Sequence, residues 1–134
     1  MPALNLEHIA CNVSDAVAVA AWYVENLGMQ VVRKVSVAPY MHFLADAAGR
    51  SVIEIYSNPA DPVPDYASMH PLRFHLAFWT DDPDGSKAAL VAAGATFVDE
   101  QTLADGSRLL MLRDPWGLAL QLCKRATPLL PGHV

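Results

Sequence analysis

Arg73-Phe-His-Leu-Ala-Phe-Trp-Thr-Asp-Asp82 has an echo earlier in the chain, Leu6-Glu-His-Ile-Ala-Cys-Asn-Val-Ser-Asp15. Placing His8 on His75 puts Ile9 on Leu76, Ala10 on Ala77 and Asp15 on Asp82. The register continues beyond the strand. A glycine closes a helix-like segment in both copies (Gly28, Gly94), and Glu54 follows His8 by 46 residues just as Gln121 follows His75 by 46. Self-similarity over half the chain points to one supersecondary unit that has been duplicated. In each copy a polar residue able to bind metal interrupts an apolar strand at the same two places.

Both copies read as β-α-β-β-β. In the first, residues 4–13 form a strand with Leu6, His8, Ala10 and Asn12 on one face and Glu7, Ile9, Cys11 and Val13 on the other. Ser14 or Asp15 caps a helix that runs to Leu27 and stops at Gly28. Strands follow at 29–37, 40–45 and 51–57, with a turn at Asp46-Ala-Ala-Gly49 between the last two. Asn58-Pro-Ala-Asp-Pro-Val-Pro-Asp65 holds three of the ten prolines, which bars it from a sheet interior and marks it as a linker that extends to Pro71.

The second copy has a strand at 72–80, with Arg73, His75, Ala77 and Trp79 sharing a face. Asp82-Pro83 starts a helix to Ala93, Asp as cap and Pro at the first helical position. Strands at 96–103 and 108–113 are joined through Asp105-Gly106, a hairpin signal. Asp114-Pro-Trp-Gly117 has type I turn preferences and leads into a last strand, 118–124; the tail from Thr127 reads as a surface extension. The expected architecture is α+β, a single domain over 1–134 with module 1 at 4–57, linker 58–71 and module 2 at 72–125.

Bulk properties narrow the function classes. A chain of 134 residues, 53% apolar, is enough for one cored domain. A net charge of −5 leaves no basic face for nucleic acid or anionic membrane. The longest apolar run, Ala16–Val24, is far short of the roughly 20 residues of a membrane span, and no signal peptide pattern opens the chain. Cys11 and Cys123 form neither a disulfide framework nor a thiolate metal site, so a reducing cytoplasm is the expected compartment.

The polar face of each expected sheet carries His8 and Glu54 in one copy and His75 and Gln121 in the other. Imidazole, carboxylate and amide oxygen without thiolate suit Zn, Ni, Co, Mn or Fe(II). A single strand histidine is usually an ordinary hydrogen-bonded residue; two at matched repeat positions, each with Glu or Gln at equal distance, make a metal site the better reading. Arg73, two residues before His75, is a candidate clamp for a substrate carboxylate, and Trp79 a candidate pocket wall. His42 lacks a counterpart and reads as structural or peripheral; Cys123 shares the face of Gln121 and reads as an inert buried thiol.

Glu7-His8-Ile-Ala, Asn26-Leu-Gly28-Met29, Ile53-Glu54-Ile-Tyr, His75-Leu-Ala-Phe and Asp114-Pro-Trp-Gly-Leu-Ala-Leu-Gln121-Leu, in this order over residues 4–124, resemble the vicinal oxygen chelate superfamily, in particular its glyoxalase I and bleomycin-resistance-like members. The resemblance implies two βαβββ modules with curved mixed sheets around a metal-site cavity, with His8, Glu54, His75 and Gln121 as ligands. It also implies a homodimer with shared sites, acting on a small molecule. The implied activity is that of a lactoylglutathione lyase-like isomerase acting on adjacent oxygens through a metal-stabilised enediolate, with glutathione as a candidate co-substrate. One position departs from the pattern. Typical glyoxalase I enzymes have Glu where this chain has Gln121, and an amide cannot accept a proton near neutral pH, so Glu54 is the expected base. Two alternatives stand beside this. His8, His75 and Glu54 form the two-His, one-carboxylate set of non-haem Fe(II) oxygenases, here a ring-cleaving dioxygenase. A metal-free drug-binding protein of the bleomycin-resistance kind is the other.

Overall fold

The computed structural model describes residues 1–132. Contacts divide the chain into two units, Met1–Pro64 and the part from Asp65 onward. Each is a βαβββ module with one four-stranded mixed sheet and one long helix, so the duplication read from the sequence is a duplication of structure.

The first unit contains β1 (Ile9–Asn12), α1 (Ala16–Leu27), β2 (Gln30–Lys34), β3 (His42–Ala45) and β4 (Val52–Tyr56), in sheet order β1-β4-β3-β2. Asp15 caps α1 by accepting from the Ala18 amide, and Ser57 Oγ accepts from the Ala16 amide. Gly28, at φ 68°, ends the helix in a left-handed conformation that a side chain would disfavour. Ala16, Val19, Ala20 and Tyr23 recur at three- and four-residue intervals, so they fall on one helix face and are buried. That face packs on Leu44, Ile53 and Ile55, which alternate with outward residues along their strands. His42 shares the buried face of β3 with Leu44 and is satisfied by the Tyr40 carbonyl, 2.6 Å from Nδ1. It is structural, as its sequence position suggests.

The second unit contains a short 3-10 turn, η1 (Tyr66–Ser68), then β5 (Leu76–Trp79), α2 (Pro83–Ala92), β6 (Thr96–Thr102), β7 (Arg108–Arg113) and β8 (Ala119–Lys124), in sheet order β5-β8-β7-β6. Asp82 caps α2 through the Gly85 amide, with Pro83 at the helix start. Leu110, Leu112 and Leu120 are fully buried and Leu90 of α2 nearly so. Truncating any one of these leucines to Ala removes buried methyl groups and leaves a cavity, at a cost of about 2–5 kcal/mol.

Both sheets carry a bulge at the same point. The register slips between Val31 and Arg33 in β2, and between Phe97 and Asp99 in β6. An extra residue in an edge strand increases its twist and spoils it as a template for further pairing.

Strand starts differ most from the sequence reading in two places. Residues 4–8 and 72–75 are not strand, and His70–Arg73 make a turn closed by the Arg73 amide on the His70 carbonyl. The cause is the parallel partner. Ile9 pairs with Ile53 near the beginning of β4, and Leu76 pairs with Leu120 near the beginning of β8. Each partner is preceded closely by a tight turn, around Asp46–Gly49 and Asp114–Gly117, so little strand remains for residues 4–7 or 72–74 to pair with.

Arg108 ties α2 to the β6–β7 hairpin. Its Nη1 and Nη2 each donate to one Asp84 oxygen at 2.9 Å, and its Nε donates to Glu100 at 2.7 Å. The hydrogen bonds from Arg108 hold the Asp84 carboxyl below its ordinary value. A carboxyl depressed in the folded state stabilises above its unfolded pKa, and that stability is lost as pH falls through the folded one. Asp84→Asn should therefore lower the melting temperature at pH 7, and the gap to wild type should close as pH falls below about 3.9. Thermal melts over pH 2–7 read this directly. Cys11 and Cys123 are both buried, and burial pushes the Cys123 thiol up. Neither should react with a thiol reagent at pH 8 in the native protein, and both should be titrated on denaturation.

Candidate metal centre

Parallel pairing of the first and last strands builds the same local arrangement in both units. Ala10 of β1 lies opposite Glu54 of β4, and Ala77 of β5 lies opposite Gln121 of β8. Each histidine stands two residues before its alanine, just ahead of the strand, and in the first unit its distance to Glu54 places the ring beside that carboxylate. A small residue at 10 and 77 leaves lateral room beside the longer polar side chain.

In the first unit the pair meets. His8 Nε2 lies 3.6 Å from Glu54 Oε1, and the Glu54 side chain is only 16% exposed. The other ring nitrogen, Nδ1, is 3.0 Å from Glu7 Oε1. A carboxylate only accepts, so Nδ1 carries a proton toward Glu7, and Nε2 is the nitrogen that faces Glu54. The Phe43 ring meets His8 edge to face at 5.2 Å, and Phe43 is also the β3 neighbour of Glu54 in register. The aromatic wall fixes the imidazole plane and removes water from one side of the carboxylate.

Two acceptors 3.6 Å apart repel unless a proton or cation joins them. Two donors each about 2.1 Å from one ion, at a tetrahedral angle, stand about 3.4 Å apart. The observed separation fits a shared divalent ion, and the carboxylate-histidine arrangement from Glu7 is the outer support commonly given to a ligating imidazole.

In the second unit His75 sits just before β5, half-buried, with Nδ1 3.0 Å from the Pro71 carbonyl. The carbonyl accepts, so this ring too keeps its proton on Nδ1 and leaves Nε2 for a ligand. Gln121 is half-buried on β8 between Ala77 and Met111, and its Oε1 accepts from the Cys123 thiol at 3.2 Å. An amide oxygen has two lone pairs, so one stays available. Among the described residues, no three His, Cys, Asp or Glu side chains gather at metal-binding distance.

Arg73 is exposed and lies in the turn before β5, where the strand alternation that grouped it with His75 does not operate. Trp79 ends β5, 40% exposed, paired with Cys123. The sequence reading missed three groups that support the candidates, Glu7, Phe43 and the Pro71 carbonyl, and set Cys123 beside Gln121 without its hydrogen bond. Adjacency signals Glu7, and strand alternation already places Cys123 with Gln121; Phe43 and Pro71 need the sheet order and the turn, which no local pattern encodes.

Among the described residues no helix is long and apolar enough to cross a membrane. Comparison with curated proteins gives no match. Among solved structures, a glyoxalase family protein from Enterococcus faecalis is 28% identical, with a TM-score of 0.65 over 90% of this chain and 97% of that one. A glyoxalase family protein from Bacillus cereus is 16% identical, with a TM-score of 0.75 over 92% of this chain and 95% of that one. The fosfomycin resistance protein FosX from Listeria monocytogenes is 18% identical, with a TM-score of 0.71 over 93% and 92%. At such identities the last two show the fold alone. The family model described as Glyoxalase/Bleomycin resistance protein/Dioxygenase superfamily matches residues 5–122. With that match spanning nearly the whole chain and both modules built as the family builds them, this protein belongs to the glyoxalase/bleomycin resistance protein/dioxygenase superfamily.

Proposed function

We propose that the chain is a divalent-metal-dependent enzyme that isomerises a small substrate bearing adjacent oxygens, in the manner of glyoxalase I, with Glu54 as the base. The observation that carries this is the 3.6 Å approach of His8 Nε2 to a largely shielded Glu54 carboxylate, with the imidazole proton held on the far nitrogen. His8 and Glu54 from one repeat and His75 and Gln121 from the other supply the ligands, one chain or the two chains of a homodimer providing both pairs. Zn, Ni, Co, Mn and Fe(II) all accept such a nitrogen and oxygen set. A bound divalent ion would polarise a substrate oxygen and offset the negative charge that develops there.

The side chains do the rest. Glu54 takes a proton from the carbon beside the carbonyl and returns it to the neighbouring carbon, so hydrogen is moved within the substrate and no external oxidant is consumed. Shielding by Phe43 keeps water from that carboxylate. Gln121 holds an oxygen donor in place and carries no proton. In the hemithioacetal of methylglyoxal and glutathione, this transfer yields the thioester.

The test is to strip the protein with chelator, reload it separately with Zn, Ni, Co, Mn and Fe(II), and assay each form with methylglyoxal–glutathione hemithioacetal. Turnover by a metal-loaded form is expected. Glu54→Gln should reduce it by about 10²–10⁴-fold, and metal content measured in parallel separates a lost base from a lost ligand. Gln121→Glu should keep or raise activity. Oxygen uptake with catechols in the Fe(II) form alone would replace this reading with a dioxygenase. Tight drug binding by metal-free protein without turnover would replace it with sequestration.

A further inference from the structure

Arg113 is buried in part at the end of β7, and its hydrogen-bond partners among the described residues are main-chain carbonyls. Its Nη1 donates to the carbonyls of Tyr66 at 2.8 Å and Gly117 at 3.0 Å, and its Nη2 donates to the Met69 carbonyl at 2.7 Å. Two of these carbonyls belong to the segment 65–75 that leads into β5, and the third to the turn between β7 and β8. The segment also lies directly against that turn. A Cβ on Gly117 would stand 2.6–2.7 Å from Ala67, which only glycine permits. Asp114, itself buried, stiffens the turn by accepting from the Trp116 and Leu118 amides.

From the gripped carbonyls the chain runs through its own short hydrogen bonds, Leu72 amide to His70 Nδ1 and Arg73 amide to His70 carbonyl, to Pro71. The Pro71 carbonyl accepts from His75 Nδ1. A continuous path therefore links the guanidinium to the orientation of one imidazole. We propose that Arg113 is a positioning residue for the metal site. By clamping the 65–70 segment onto the β7–β8 turn, it fixes the Pro71 carbonyl, which sets the tautomer and plane of His75. This rests on the reading above that His75 is a ligand. Its planar fork matters, because it meets three carbonyls at once from two nitrogens, whereas a lysine offers a single point charge on a flexible stem. A carbonyl that fixes the second ring nitrogen of a ligating histidine commonly changes metal affinity by about 10–100-fold when lost.

The experiment uses the full chain, first without metal, at a pH above the imidazole range. Long-range proton–nitrogen correlation spectra report the tautomer of His75, assigned by its loss in His75→Gln. Wild type should show one tautomer, protonated at Nδ1, with slow hydrogen exchange at the Leu72 and Arg73 amides. Arg113→Lys should show mixed tautomers at His75 and faster exchange at those two amides, while the β7–β8 amides stay protected. Its metal affinity should fall by about tenfold. A folded Arg113→Lys that keeps a single Nδ1–H tautomer, or that binds metal as wild type does, overturns the proposal. Should that variant not fold, the wild-type guanidinium decides: slow rotation about its Nε–Cζ bond is expected, and free rotation overturns the clamp. A wild type that binds no metal would end the proposed function, yet the tautomer would still decide the role of Arg113.

Discussion

Parallel pairing of the first strand of each repeat with its last is the constraint from which the rest follows. Two strands joined in parallel need a long crossover between them, and in each repeat that crossover is the helix and the two intervening strands. The pairing sets Ala10 against Glu54 and Ala77 against Gln121. Once the register is fixed, each histidine enters the sheet one residue ahead of its first pair, Ile9 with Ile53 or Leu76 with Leu120. A slip by one residue would send Ala10 or Ala77 to the helix-covered side and expose Cys11 or Leu76. Burial of that apolar side beneath the helix is therefore what aims the polar side. Core packing and the placement of Glu54 and Gln121 are one requirement in this fold.

The two repeats use that shared frame differently. In the first, an imidazole and a carboxylate approach each other against an aromatic edge, with Glu7 holding the far nitrogen. In the second, an amide replaces the carboxylate and a thiol braces it, while a main-chain carbonyl holds the imidazole. Both histidines direct Nδ1 to an oxygen acceptor. At the two matched strand positions only the first repeat has a carboxylate, so in the proposed reaction Glu54 is the base. The duplicated backbone supplies symmetry of position, and the Glu/Gln difference supplies asymmetry of chemistry.

Much of this was legible in the chain before any coordinates. Asp15 and Gly28, and Asp82 with Pro83, bracket the helices by side-chain capping and backbone conformation, which are local effects. Arg108–Arg113 was read to the residue. Period-two alternation in Val52–Tyr56 gave the correct inward pair, Ile53 and Ile55. Strand starts were not legible, because Leu4, Leu6 and Phe74 look strand-like by composition while pairing depends on where a distant partner begins. The matched bulges at Val32 and Val98 left no mark either, since valine suits a regular strand equally well. For the site, the ligand candidates were visible as a repeat, but the atoms that orient them were not. Pro71 acts through its carbonyl and Arg113 through main-chain oxygens, and main-chain partners carry no sequence signature.

The proposed chemistry requires imidazole nitrogen from both repeats to reach one divalent ion beside a carboxylate. X-ray absorption on the zinc-loaded protein looks at that ion directly. It should report a shell of nitrogen and oxygen donors at about 2.0–2.2 Å, with the multiple scattering of two imidazoles and no sulfur. A sulfur shell near 2.3 Å, or scattering from one imidazole or none, would contradict it.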